Sequence, residues 1–320
     1  ASKLDLEKIQ DDISLYVVNT YLNVLFAKEN LSVAKFQYEI SKKQIERAKA
    51  QFDAGVKPKG DLLNAQSTAS ANEQLVIQFE NTLNLSLLDL TQLLQINPEG
   101  FDVESIEIES PTISLIYKNS NEVYQKALTN RPEIKRAEIG IESADLDIEK
   151  AKAGFLPSLS VGANIGSGYG YNLKNNSHIP FFTQLDDNLG YGVNFSLNIP
   201  IFSRNQTKSN VNRQKINYEI SKFGLENQKL QLQQTIEKAF YDAKAAAKTF
   251  ESAEKSLLAQ NEAFKNAQES YGLGAMTLFD FDQVRNRLVD AEGAIIRAKY
   301  DYVFKTKVLK FYYGEPIIVE

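Results

Sequence analysis

The sequence predicts a mainly α-helical chain with two long helical hairpins of the same design, and one inserted β-hairpin suited to a lipid bilayer. Three observations carry this. The chain repeats itself without gaps: Gly55 falls on Gly274, Asp61 on Asp280, Phe52 on Tyr271 and Tyr21 on Phe240, each 219 residues on. Seam residues around both glycines recur at alternating intervals of three and four: Leu31, Ala34, Tyr38, Ser41, Ile45, Ala48 and Phe52 before Gly55, and Phe250, Ala253, Leu257, Gln260, Phe264, Ala267 and Tyr271 before Gly274. Such a seven-residue repeat winds helices into left-handed coiled coils. Between the repeats the period changes from helical to two, the signature of strands.

In chain order, a first helix is expected from about Leu4 to Phe52, stopped by Gly55 with Pro58 preventing its continuation. A second runs from about Gly60 to Gln95, with the same seam spacing at Leu62, Ala65, Ala69, Asn72, Val76, Phe79 and Leu83, and ends at Asn97-Pro98-Glu99-Gly100. Residues 1–96 therefore form the first-repeat coiled-coil hairpin, its tip near 53–60. Residues 97–131 are irregular with a short helix from Asn119 to Thr129, and Val103, Ile106 and Ile108 alternate as in a short extended piece. Pro132 opens a helix over 132–153, since proline suits a first helical position.

Residues 154–203 form the β-hairpin. From Pro157 to Tyr171, Leu159, Val161, Ala163, Ile165, Tyr169 and Tyr171 share one face, against Ser, Asn and Gly on the other. From Asn188 to Ile201, Leu189, Tyr191, Val193, Phe195, Leu197, Ile199 and Ile201 do the same. A polar external loop, 172–187, holds the lone His178. Each strand reads as about 14 residues, above the usual 5–6 and enough for the tilted 9–11 that cross a bilayer. Tyr169, Tyr171 and Tyr191 gather at the loop end, Phe155 and Phe202 at the other, as aromatic bands flank a lipid-facing zone. Alternation also fits a half-buried soluble sheet, but on these details Val161, Ile165, Tyr169, Tyr171, Tyr191, Val193, Phe195, Leu197 and Ile199 are read as lipid-facing. Residues 204–313 form the second-repeat coiled-coil hairpin, with a tip near 272–279 and seam residues Phe281, Val284, Leu288, Ala291, Ile295, Ala298 and Tyr302; 314–320 are a tail.

Composition narrows function by exclusion. The 320 residues carry a net charge of −5, which argues against nucleic acid. With no cysteine and one histidine, neither a thiolate nor a metal-ligand cluster is available, and no acid pair sits in a pocket motif. No enzyme activity, cofactor or metal is expected. No apolar run reaches the length of a transmembrane helix. Two strands cannot close a sheet, and lipid tolerates no unpaired edge, so more hairpins must come from other subunits or another repeat. The first repeat's counterpart of the hairpin would lie before Ala1, and a first helix and first hairpin are expected there.

The strings Asn130-Arg131-Pro132-Glu133-Ile134, Ala153-Gly154-Phe155-Leu156-Pro157-Ser158 and Leu197-Asn198-Ile199-Pro200-Ile201-Phe202-Ser203 resemble TolC-type outer-membrane efflux proteins. So do the tip turns Phe52-Asp53-Ala54-Gly55 and Tyr271-Gly272-Leu273-Gly274, with Asp61 and Asp280 six residues beyond each glycine. The resemblance implies a homotrimer in the outer-membrane lipid. Each subunit would give four strands to a twelve-stranded barrel and its helices to a periplasmic α-barrel. It further implies a passive exit duct for a tripartite efflux pump or type I secretion system. Its partners would be a periplasmic adaptor docking near the tips at Gly55 and Gly274, and an inner-membrane transporter of the RND, ABC or MFS class.

By the same resemblance Asp280 matches a gate aspartate whose copies ring the constriction, and Asp282 adds a carboxylate, while Gln283 stands where a second aspartate is common. Asp61 and Tyr271 match closing contacts between coiled coils. The usual basic partner is replaced by Met276, with Lys57 and Lys59 as candidate substitutes. Asp280 and Asp61 equally read as helix-start residues favoured by the dipole, and Tyr271 as a seam residue. The competing function is a structural coiled-coil scaffold without channel activity, which leaves the apolar hairpin unexplained.

Overall fold

The structure, a computed structural model, describes residues 2–104, 117–170 and 180–315. Tyr171, His178, the Ile106–Ile108 alternation and the end of the tail lie outside these residues. The chain forms α1 (Ser2–Asp53), α2 (Lys59–Leu94), α3 (Ser120–Asn130), α4 (Pro132–Lys152), β1 (Ser158–Gly166), α5 (Phe181–Asp187), β2 (Gly190–Asn198), α6 (Gln206–Gly272) and α7 (Leu278–Tyr313). Two compact units emerge: Ala1–Arg136 with Asn227–Glu320, and Ala137–Glu226.

In the first unit α1 and α2 pair antiparallel. Asn72 Nδ2 donates to Ser41 Oγ at 2.5 Å, and Lys35 meets Glu80 at 2.9 Å. α6 and α7 pair through small residues and aromatics: Ala246, Ala247 and Phe250 bury against Ala298 and Tyr302, with the Phe250 and Tyr302 rings stacked at 6.3 Å. Alanine at these seam positions lets helices approach closely. The larger apolar cluster joins Val18, Leu22 and Leu25 of α1 with Leu90 of α2, Val103, and Ile296 and Tyr300 of α7.

Arg131, 6% exposed, ties together the start of α1, the α3–α4 junction and the end of α7. Its Nη2 donates to Asp11 Oδ2 at 2.8 Å, its Nε lies 3.5 Å from Glu133 Oε1, and its guanidinium sits 4.2 Å over the Phe311 ring. Pro132 does occupy the first position of α4, as expected. Helix α7 ends on Gly314, whose φ of 101° only glycine adopts freely.

In the second unit β1 and β2 pair antiparallel, in a register that keeps the apolar residues on one face. Leu159 faces Leu197, Val161 faces Phe195, Ala163 faces Val193 and Ile165 faces Tyr191. On the opposite face Gly162 pairs with Asn194 and Gly192 with Asn164. A Cβ added to Gly162 would come within 2.6 Å of Asn194 Oδ1, so glycine there makes room for the asparagine across the ladder.

The strands are nine residues each, shorter than the sequence suggests. The cause lies in the supposed polar loop, which contains α5. Gln184 Oε1 accepts from Gly170 N at 3.0 Å, and Asn188 Nδ2 donates to Gly168 O at 2.7 Å. These side chains bond backbone groups that would otherwise extend the ladder. At the other end Pro200 offers no N–H to continue it.

Candidate functional site: the paired helix tips

The two tip turns superpose in hydrogen bonding as in sequence. Gly55 N donates to Phe52 O at 2.9 Å and Val56 N to Gln51 O at 2.9 Å; Gly274 N donates to Tyr271 O at 3.1 Å and Ala275 N to Ser270 O at 2.9 Å. Gly55 and Gly274 have φ of 72° and 75°, the left-handed conformation that ends a helix and disfavours a Cβ. The turns differ in how the next helix starts. Pro58 caps α2 without a side-chain bond. Thr277 caps α7: its Oγ1 accepts from Asp280 N at 3.1 Å and donates to Asp280 Oδ2 at 2.6 Å. Asp280 is exposed and belongs to this cap, so the helix-start reading of that residue is realised in the structure.

Asp61 and Tyr271 line one groove between the two helical hairpins, a cavity of about 270 Å³ that also includes Arg47, Phe264, Phe281 and Asp282. Tyr271 stacks on Phe281 at 5.0 Å, consistent with its seam position. Burial, then the Asp61 carboxylate, push its phenol above the ordinary range. Lys57, one of the two lysines singled out in the sequence, lies 4.0 Å from Asp61 and 5.7 Å above the Tyr271 ring.

A shorter ionic contact, beside the groove, involves a residue that the sequence reading missed. Arg285 is 4% exposed; its Nη1 donates to Gln44 Oε1 on α1 at 2.7 Å, and its Nη2 lies 3.1 Å from Asp282 Oδ1. Burial raises Asp282 above the usual carboxylate range, against the pull of Arg285. Two more polar pairs follow down the α1–α7 contact: Gln37 Nε2 donates to Glu292 Oε2 at 3.1 Å, and Lys299 lies 3.6 Å from Glu29. Arg285, Glu292 and Lys299 are one heptad apart, as are Gln44 and Gln37. That heptad spacing of long polar side chains was the available signal.

On the β-hairpin, Val161, Ile165, Tyr191, Val193, Phe195 and Leu197 lie on one sheet face and are all exposed, with Tyr191 at 87%. Ile199 and Tyr169 are exposed just beyond the strand ends. An exposed apolar face this continuous marks an interaction surface.

The sequence profile of the outer membrane efflux protein family matches residues 1–94 and 123–315. The chain belongs to this family. Among curated family relatives, the outer membrane protein TolC of Salmonella enteritidis is 25% identical over 317 residues, spanning 95% of this chain and 61% of the relative. The alkaline protease secretion protein AprF of Pseudomonas aeruginosa is 20% identical over 303 residues, spanning 95% and 61%. Among solved structures, CusC shares the fold with a TM-score of 0.75 at 17% identity, over 98% of this chain and 71% of that one. The chain thus spans about three-fifths of the length of the curated relatives it matches.

Proposed function

We propose that the chain is the main part of a passive export duct in the bacterial outer membrane, serving a tripartite efflux pump or a type I secretion system. In this reading three copies associate, and their hairpins, with further strands, close into a twelve-stranded barrel. The coiled-coil hairpins line a periplasmic α-barrel. The observation that carries the proposal is the two-stranded sheet whose apolar face, from Leu159 to Ile165 and from Tyr191 to Leu197, is left open. Lipid covers such a face, and lipid forbids unpaired strand edges, so the sheet has to close with others.

The paired tips are then the gate. Asp280 of three copies would put carboxylates around one axis, attracting cations and resisting anions; Asp282, expected beside it, is held by Arg285 in the groove. Asp61 and Tyr271 are the closing contacts, with Lys57, 4.0 Å from Asp61, in place of the basic partner lost at Met276. The turns at Gly55 and Gly274 are where a periplasmic adaptor would dock, below an inner-membrane transporter. The test is the full-length protein purified in detergent and placed in planar lipid bilayers. A trimeric mass with cation-preferring conductance is expected; a water-soluble monomer without conductance would overturn the proposal.

A further inference from the structure

Helix α5 sits at the loop end of the β-hairpin with its aromatic residues turned outward. Phe182 is 82% exposed, and Phe181 and Leu189 are exposed beside it. Polar contacts tie α5 and its C-cap Asn188 to the end of β1. Gln184 and Asn188 bond the backbone at Gly170 and Gly168, and Ser167 Oγ donates to Leu185 O. An isolated helix of seven residues has little stability of its own. These bonds therefore fix which side α5 presents, and they fix it with phenylalanines outermost.

The aromatic side of α5 continues the apolar face of the sheet. Tyr169 shares the alternation of Ile165, which faces Tyr191, and the Phe181 ring lies 5.3 Å from the Tyr169 ring. Phe182 meets Phe181 edge to face at 5.4 Å. The ring contacts of Tyr169, Phe181 and Phe182 lie past the last ladder pair, Gly166 with Gly190, and extend the apolar surface beyond the strands. Aromatic rings concentrate at the level of lipid headgroups, where an apolar body and a wet boundary meet.

We propose that α5 is a membrane-interface foot, its Phe181–Phe182 side lying against lipid at the boundary between headgroups and acyl chains. This rests on the reading of the β-hairpin as lipid-facing and adds an anchor that fixes how deep the barrel sits. The partner is the lipid surface, because the aromatic side is continuous with a face that already meets lipid.

These 320 residues hold no tryptophan; with any tryptophan elsewhere in the full-length protein replaced by phenylalanine, a single introduced one reports alone. Phe182→Trp and Val193→Trp are made separately in the full-length protein and reconstituted in bilayers of phospholipids brominated at known acyl-chain depths. Phe182→Trp should be quenched most by bromines nearest the headgroups, and Val193→Trp most by bromines nearest the bilayer centre. If Val193→Trp is quenched but Phe182→Trp is not, the foot is wrong and the barrel reading stands, whether Phe182→Trp emits as in water or blue-shifted against neighbouring protein. If neither is quenched, the hairpin is not in lipid and both readings fall.

Discussion

Arg285 of α7 donates to Gln44 of α1 across 2.7 Å in a site almost closed to water. A buried guanidinium adds little net stability, yet it fixes which surfaces meet. This bond therefore sets the register in which the two helical hairpins lie together near their tips.

Charge at position 44 should act on the contact with opposite signs. Gln44→Glu gives Arg285 a carboxylate partner and should tighten the contact. Gln44→Lys sets two cations together and should part it. In planar bilayers, conductance should fall below wild type for Gln44→Glu and rise severalfold for Gln44→Lys. A change in the same direction for both would show that position 44 matters only for packing.

The cap of α7 separates stability from gating. Thr277→Ala removes the acceptor for Asp280 N and should cost about 0.5–2 kcal/mol, read as a lower thermal midpoint. Asp280→Asn keeps that backbone bond and removes only the charge. It should leave the midpoint nearly unchanged while weakening cation preference in single-channel recordings. An unaltered preference would leave Asp280 with its capping role alone.

Acid should strengthen the α1–α7 contact. Burial raises both Asp282 and Glu292 above the usual carboxylate range, so both take up protons more readily folded than unfolded. Their contribution is fully present below the ordinary values of about 4 and is lost as pH rises through their raised values. The thermal midpoint should therefore rise as pH falls from 7 towards 4. This dependence should flatten in the Asp282→Asn, Glu292→Gln double variant, and a pH dependence unchanged in that variant would place the titration elsewhere.

Arg131 is the opposite case, a buried cation whose loss leaves Asp11 and Glu133 facing each other. Arg131→Leu should cost about 1–3 kcal/mol, below the ~3–5 of a fully buried pair because Asp11 and Glu133 keep contact with water. Arg131→Leu combined with Asp11→Leu should recover part of it. Equal midpoints for wild type and Arg131→Leu would rule out this junction as a structural tie.

Much of the fold was legible because it is periodic. The seam spacing marks the long helices within a few residues, and the matched glycines mark both turns, which share one bonding pattern. The two faces of the β-hairpin followed from alternation, since a slip by one residue would turn Val193 and Phe195 to the polar face, whereas the pairing itself, which a slip of two would leave consistent, is seen only in the structure. Helix α5 was missed because Phe181 to Asp187 is too short for a helical period to stand out among polar neighbours. Arg285 was missed because a charge next to an apolar seam reads as a solvated position. Only the fold brings Gln44, 241 residues away, to meet it.

The most direct test of the duct is the lipid-facing surface itself. Val193→Arg and Phe195→Arg place a cation where barrel lipid faces charge about 2–4 kcal/mol, while Asn194→Arg places it on the opposite face. The first two variants should fail to assemble in the outer membrane while Asn194→Arg assembles. Assembly of Val193→Arg and Phe195→Arg at wild-type levels would contradict the duct reading.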